Sequence, residues 1–251
     1  MNQEIPPACD MREGIEVTFF VACYNEAPRI RGALEVIRTT AEELKIQYEI
    51  IVVDDGSTDG STDVVEGYGK EHKEIKLIIQ RNKENRGLAR SFVDAAFLGR
   101  GRYYRLVCGD NVEDKETMVK ILQQRGKADI ILPYYPDLPG KSVMRKLISR
   151  LYTFLVDLIG GYKIRYYNGC ALYHRYHVMR WAPYDYGFGF QANLITTLLE
   201  EGATYHELPA KGLHVEKGGQ SSPLHLRNFL SVTKTIVEIG IRRCRRQLFK
   251  N

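Results

Sequence analysis

The chain is expected to form an α/β fold: a mostly parallel, doubly wound sheet with helices on both faces, followed by a basic amphipathic helix. Three observations predict it. Near-continuous apolar runs at Val17 to Cys23 and Ile50 to Val53 read as strands buried on both faces, as in a parallel sheet. Segments of helical periodicity alternate with such runs over residues 16–132. Three acidic clusters sit where strands end, at Tyr24-Asn25-Glu26, Asp54-Asp55-Gly56-Ser57 and Gly109-Asp110-Asn111. In open α/β sheets the ligand crevice lies outside the carboxyl ends of the strands, where these acids converge.

The elements follow in order. A strand over 16–23 leads to a helix over 28–44, with Ile30, Leu34, Ile37 and Leu44 at helical spacing. A strand over 48–53 ends at the Asp54-Asp55 turn, and Gly56 suits that tight turn. A helix over 61–72 and a strand over 75–79 come next. Asn85-Arg86-Gly87 opens a helix through Leu98, and Tyr103 to Cys108 is the following strand. A helix over 114–125 and a strand over 128–132 close the regular alternation. The breaker-rich stretch Pro133 to Gly140 is a loop of the kind that carries binding function. Beyond it lie a helix over 141–159, a strand over 169–173, a helix over 191–200 and a strand over 204–208. Lys217 to Ser222 is a flexible segment, and a final basic helix begins near Leu224. The expected organisation is a leader over 1–14, one large domain over 15–222 and the basic helix over 223–251.

With 251 residues, 44% of them hydrophobic and 27% charged, the chain is long enough for a sizeable core and ordinary for a globular protein. No stretch approaches the roughly 18 apolar residues of a membrane span. The best one, Leu147 to Tyr162, carries Arg150 and Asp157 and breaks at Gly160-Gly161. The N-terminus has no apolar signal core, so a cytoplasmic location is expected. The five cysteines are odd in number and contain no CxxC pair, which argues against a disulfide framework or a zinc ribbon. The net charge of +5 is local. Residues 223–251 carry Arg227, Lys234, Arg242, Arg243, Arg245, Arg246 and Lys250 against Glu238 alone, so the rest of the chain is near neutral.

Acids at strand ends suit a ribose, a base or a metal–diphosphate. Beyond the three clusters, the chain has Asp59 after Thr58, Asn168-Gly169, Gly187-Phe188 before a helix, and Glu207-Leu208-Pro209 followed by Gly218 and Ser221. In this order the motifs resemble the family-2 glycosyltransferases of GT-A fold, and within them the dolichyl- and polyprenyl-phosphate sugar transferases. The resemblance covers roughly 15–222. It implies that Ala22, Tyr24, Glu26, Asp54, Asp55, Cys108 and Gly109 line a nucleotide. It implies that Asp110, the second acid of an Asp-x-Asp motif, is a catalytic residue and the ligand of Mg²⁺ or Mn²⁺. The first acid of that motif is replaced by Cys108, and Val112 stands where a polar ligand is usual. Arg145, a further catalytic candidate, and Ser149 match positions near donor and acceptor phosphates. Lys217 matches a cation that contacts the diphosphate from a closing loop.

Transfer to a sugar hydroxyl needs a carboxylate base, whereas a phosphate acceptor is already an anion. The stretch Tyr186 to Leu199 contains no acid, Asn193 stands where a Glu is common, and Asp185 is the nearest base candidate. The expected reaction is therefore inverting transfer from a UDP- or GDP-sugar to a polyprenyl phosphate at the inner face of the membrane. A saccharide hydroxyl acceptor with Asp185 as base, and a catalytically impaired nucleotide-sugar binding module, stay open. The basic helix, with Leu226, Phe229, Leu230, Val237, Ile241 and Leu248 as its apolar stripe, reads as a partner for anionic membrane. The helix over 141–159 is a second lipid-facing surface or a homodimer surface. No nucleic-acid motif accompanies the charges.

Overall fold

The computed structural model describes residues 14–111, 113–136, 143–183, 186–211 and 226–249. Seven strands form one sheet: β1 (Val17–Cys23), β2 (Tyr48–Asp54), β3 (Lys76–Arg81), β4 (Tyr103–Cys108), β5 (Ile130–Tyr134), β6 (Leu172–His174) and β7 (Tyr205–Pro209). Their order is β3-β2-β1-β4-β6-β5-β7. Every pairing is parallel except those of β6, which runs antiparallel to β4 and β5. Eight helices cover the sheet among the described residues: α1 (Ile30–Glu43), α2 (Ser61–Glu71), α3 (Leu88–Leu98), α4 (Lys115–Gln123), α5 (Val143–Gly160), α6 (Arg175–Arg180), α7 (Phe190–Glu200) and α8 (Leu226–Leu248).

The pleat explains two cores from one sheet. Successive side chains point to opposite faces, so Phe20, Ile51, Tyr104 and Leu106 join one buried cluster with α3 and α7. Phe19, Val21, Ile50 and Val52 join another with α1 and α4. The apolar runs of β1 and β2 are buried on both faces because both faces are covered, as the sequence led us to expect.

Two features were not expected from the sequence. β6 is only three residues long and reversed, and nothing in so short a segment signals direction. α6 has a single fully buried residue, Val178, so it lacks the apolar period that marks a helix. In α5 only Val156 and Gly160 are fully buried. Its stripe of Val143, Leu147, Leu151, Phe154 and Leu158 lies on the surface, each residue 54–84% exposed.

Strand order places β1 at the switch point, with β2 on one side and β4 on the other. The loops after β1, β2 and β4 therefore open on the crevice where a doubly wound sheet binds its ligand.

Candidate active site

The loops after β1 and β2 are fastened to each other before any ligand is considered. Asn25 adopts a left-handed backbone with φ +56°. Its N–H donates to Ser57 Oγ at 2.9 Å, and its Oδ1 accepts from Thr58 N at 2.9 Å. Glu26 N donates to Ser61 Oγ at 2.8 Å, and Ala27 N donates to Asp59 Oδ2 at 3.0 Å. Burial acts against the Asp59 charge, but hydrogen bonds from Ser61 and backbone N–H groups hold its carboxyl below the usual range. In the sequence Ser57 and Asp59 figure only as members of the strand-end motif, with no role of their own. In the fold they join two strand ends, and that role depends on a β1–β2 register no local pattern displays.

The same loops give the paired acids partners within the chain. Asp54 is buried; Ser57 N donates to its Oδ1 at 2.8 Å, and Thr62 Oγ1 donates to its Oδ2. Asp55, also buried, accepts from Asn82 Nδ2 at 2.7 Å and from the N–H groups of Arg86 and Gly87 at 2.9 and 2.8 Å. Asp55 thereby pins the 82–87 loop over Gly56. A Cβ at Gly56 would sit 3.1 Å from the Glu84 backbone, and its φ of +86° favours glycine as well. Tyr24, half exposed, is left on the rim of the crevice.

At the end of β4, Gly109 N donates to Ala22 O at 2.9 Å. A Cβ on Gly109 would meet that oxygen at 2.6 Å and Glu26 Cγ at 3.4 Å, so Ala22, Glu26 and Gly109 are packed at one spot. Glu26 also pairs with Arg29 at 2.8 Å. Asn111, with φ +55°, fits its amide into the hollow left by Gly32 on α1. Asp110 rides on the turn between these anchors.

Cys108 lies with its Sγ 4.0 Å from Cys170 Sγ. That contact, together with burial, pushes the Cys108 thiol well above its ordinary value. A neutral thiol is a poor ligand for a hard cation, and Val112 lies outside the described residues. Among the described residues no three acidic, thiol or imidazole groups converge as a metal cage. One carboxylate still fits Mg²⁺ or Mn²⁺, because such ions are held by one or two carboxylates with diphosphate oxygens and water.

A cavity of about 370 Å³ opens beside α5, lined by Lys146, Ser149 and Arg150 and by Tyr134, Arg165 and Tyr166. Ser149 lines this cavity; Arg145 is not among its lining residues, and Lys146 and Arg150 on the same helix are. Arg165, which sequence reasoning passed over, stacks on the Tyr134 ring at 4.5 Å. The cavity is tied to the β4 end through Tyr135, which also lines it and lies within electrostatic range of Cys170 and Glu113. Asp185 and Lys217 fall outside the described residues. Asn193 is buried and accepts from Trp181 Nε1 at 3.1 Å, so this position belongs to the core.

The basic C-terminal helix is less free than its sequence suggests. Arg242 pairs with Glu200 at 2.6 Å and donates to Thr196 Oγ1 at 2.7 Å. Arg243 donates to the last carbonyls of α5, Leu158 O at 3.0 Å and Ile159 O at 2.8 Å. Two of the four clustered arginines thus fasten α8 to α7 and α5, while Arg245 and Arg246 are exposed.

Comparison with known proteins agrees with this architecture. Residues 18–180, more than half of the chain, match the family model described as glycosyl transferase family 2. The dolichyl-phosphate beta-glucosyltransferase ALG5C of Trichomonas vaginalis is 28% identical over 208 residues, covering 72% of this chain and 61% of that protein. The dodecaprenyl-phosphate galacturonate synthase of Rhizobium johnstonii is 27% identical over 168 residues, covering 65% and 48% respectively. The chain therefore spans between about half and three-fifths of these relatives. Among solved structures, the mannosyltransferase PcManGT of Pyrobaculum calidifontis, in complex with GDP-Man and Mn²⁺, superposes with a TM-score of 0.67 at 16% identity, over 96% of this chain and 68% of that one. With its GT-A architecture and a family match running from β1 through α6, the chain belongs to glycosyl transferase family 2.

Proposed function

We propose that the protein transfers a sugar from a UDP- or GDP-sugar to a polyprenyl phosphate, with inversion, at an anionic membrane surface. The observation that carries this reading is the Lys146–Arg150–Arg165 cavity beside a helix whose outer face is apolar. A phosphate head needs cations and a hydroxyl such as Ser149, and a prenyl chain needs an apolar surface next to it. Both are present on α5. Two relatives named for dolichyl- and dodecaprenyl-phosphate support the same acceptor class, and a structural neighbour holding GDP-Man and Mn²⁺ supports a nucleotide-sugar donor.

In this reading the base and ribose lie along Ala22, Tyr24, Glu26 and Asp55, with Asp54 shaping the turn beneath them. Cys108 and Gly109 form the floor below the sugar-diphosphate, and Asp110 faces the diphosphate. An acceptor phosphate oxygen attacks C1 of the sugar as the bond to the nucleoside diphosphate breaks, and negative charge grows on the leaving group through an oxocarbenium-like state. A Mg²⁺ or Mn²⁺ ion bound at Asp110 would supply charge stabilisation for that departure. Lys146, Arg150 and Arg165 hold the attacking phosphate in place. No base is required, because the nucleophile is already ionised. The exposed stripe of α5 rests on the bilayer, and α8 braces it from behind.

Replacing Leu147 and Leu151 by Glu, both exposed and neither lining the cavity, tests the surface. The doubly substituted protein should lose binding to anionic vesicles and turnover on a bilayer-embedded prenyl phosphate, yet keep turnover on a short, water-soluble one. Unchanged vesicle binding would remove α5 from the membrane contact.

A further inference from the structure

Among the described residues Arg105 is the largest fully buried side chain, and it sits on β4, three residues before Cys108. It shares the β4 face of Tyr103 and Val107, amid the apolar core under α1 and α4. Its Nη2 lies 2.6 Å from both carboxylate oxygens of Glu113, whose side chain is 8% exposed. Among the described residues, Nε and Nη1 of Arg105 have no acceptor. Burial pushes the Glu113 carboxyl above its ordinary range, and Arg105 opposes that shift.

An ion pair in this position is an expensive way to stabilise a core. Taking both charges out of water costs more than such a pair commonly returns, and an apolar pair of similar volume often does as well or better. Two donors without acceptors weaken the case for stability further. What the pair does accomplish is geometric. It ties the far end of the Cys108–Asp114 segment to a central strand, while Gly109 N and the Asn111 amide hold the near end. Asp114 then caps α4 by accepting from Thr117 N at 2.7 Å. Between the two anchors lies Asp110.

We propose that Arg105 and Glu113 are positioning residues: their buried pair fixes the Asp110 turn in the orientation that meets a metal-bound nucleoside diphosphate. The inference rests on the reading of Asp110 given above. It also accounts for a site with one acid fewer than usual. Where Cys108 contributes no charge, the remaining carboxylate must be aimed by its surroundings, and the second carboxylate of the segment is spent on aiming it.

The test is calorimetric titration of UDP and of GDP, with and without Mn²⁺, on wild type and on the double substitution Arg105→Met with Glu113→Leu. An apolar pair removes the clamp without stranding a charge, so the variant should unfold near the wild-type temperature. Nucleotide binding without metal should be unchanged. The strengthening that Mn²⁺ adds should fall about 10- to 100-fold, as for lost supports of metal ligands. A folded double variant with the full Mn²⁺ effect would overturn the inference. Should that variant fail to fold, Glu113→Gln, which keeps the shape and loses the charge, should show about a tenfold loss, and an undiminished Mn²⁺ effect would overturn it equally. Asp110→Asn serves as the control. If it keeps the Mn²⁺ effect, or if wild type has none, the reading of Asp110 has failed and the positioning role falls with it.

Discussion

At Gly109 one methyl group decides whether the crevice can form. The contact with Ala22 O is with backbone, which cannot rotate away, and Glu26 closes the other side. Gly109→Ala should therefore lower unfolding stability by about 1–3 kcal/mol, the usual cost of overpacking, and weaken nucleotide binding along with it. Denaturant unfolding would check the first part, and an unchanged midpoint would mean that β1 and β4 spread more easily than their hydrogen bond implies. The same scale shows where local sequence stops being readable. Asp54-Asp55-Gly56-Ser57 announces a strand-end turn correctly. That Asp55 spends its oxygens on Asn82, Arg86 and Gly87 could not be seen, because those partners arrive from beyond the next helix and strand. Glu113 is a similar case, since its partner is defined only once Arg105 is known to point into the core.

At the scale of elements, strong patterns translated directly and weak ones did not. Tyr103 to Cys108 forms the strand expected of it, and Leu88 to Leu98 the helix. The strand expected over 169–173 appears as β6, but so short a strand gives no sign of its reversal, and the short α6 carries too few buried residues to signal itself. The two elements also hold a titratable pair, His174 and His177, with ring centroids 5.9 Å apart. Burial lowers both pKa values below the ordinary 6.5, with Arg102 acting further on His174 and Arg180 on His177, while Asp129 opposes the shift at both. A folded-state pKa below the unfolded one means that the unfolded chain binds more protons in that interval. Stability is thus fully present above about pH 6.5 and is lost as pH falls through that value toward the lowered ones. The melting temperature should drop on acidification from about pH 7.5 to 5.5, and His177→Gln should flatten the decline. A wild-type melting temperature independent of pH over this range would show that the β6–α6 histidines are solvated.

At the scale of the whole molecule, the sheet order brings together what the sequence scatters. The loops after β1, β2 and β4 are 30 or more residues apart in the chain and meet at the switch point beside β1. The α/β class and the family were legible because buried parallel strands and their terminal acids recur in a fixed sequence order. The acceptor side was less so. Lys146 and Arg150 were not singled out beside Arg145, because a helix seen only as a string does not reveal which turn faces the cavity. In sequence the arginine cluster of α8 reads as one basic surface, and only the fold shows that Arg242 and Arg243 also hold the helix to its neighbours. The measurement that bears most directly on the whole account is release of nucleoside diphosphate from a panel of UDP- and GDP-sugars in Mn²⁺, with and without a short polyprenyl phosphate. The account predicts release from one donor that depends on the prenyl phosphate and disappears in Asp110→Asn. Release that ignores the prenyl phosphate and requires a saccharide hydroxyl instead would contradict it.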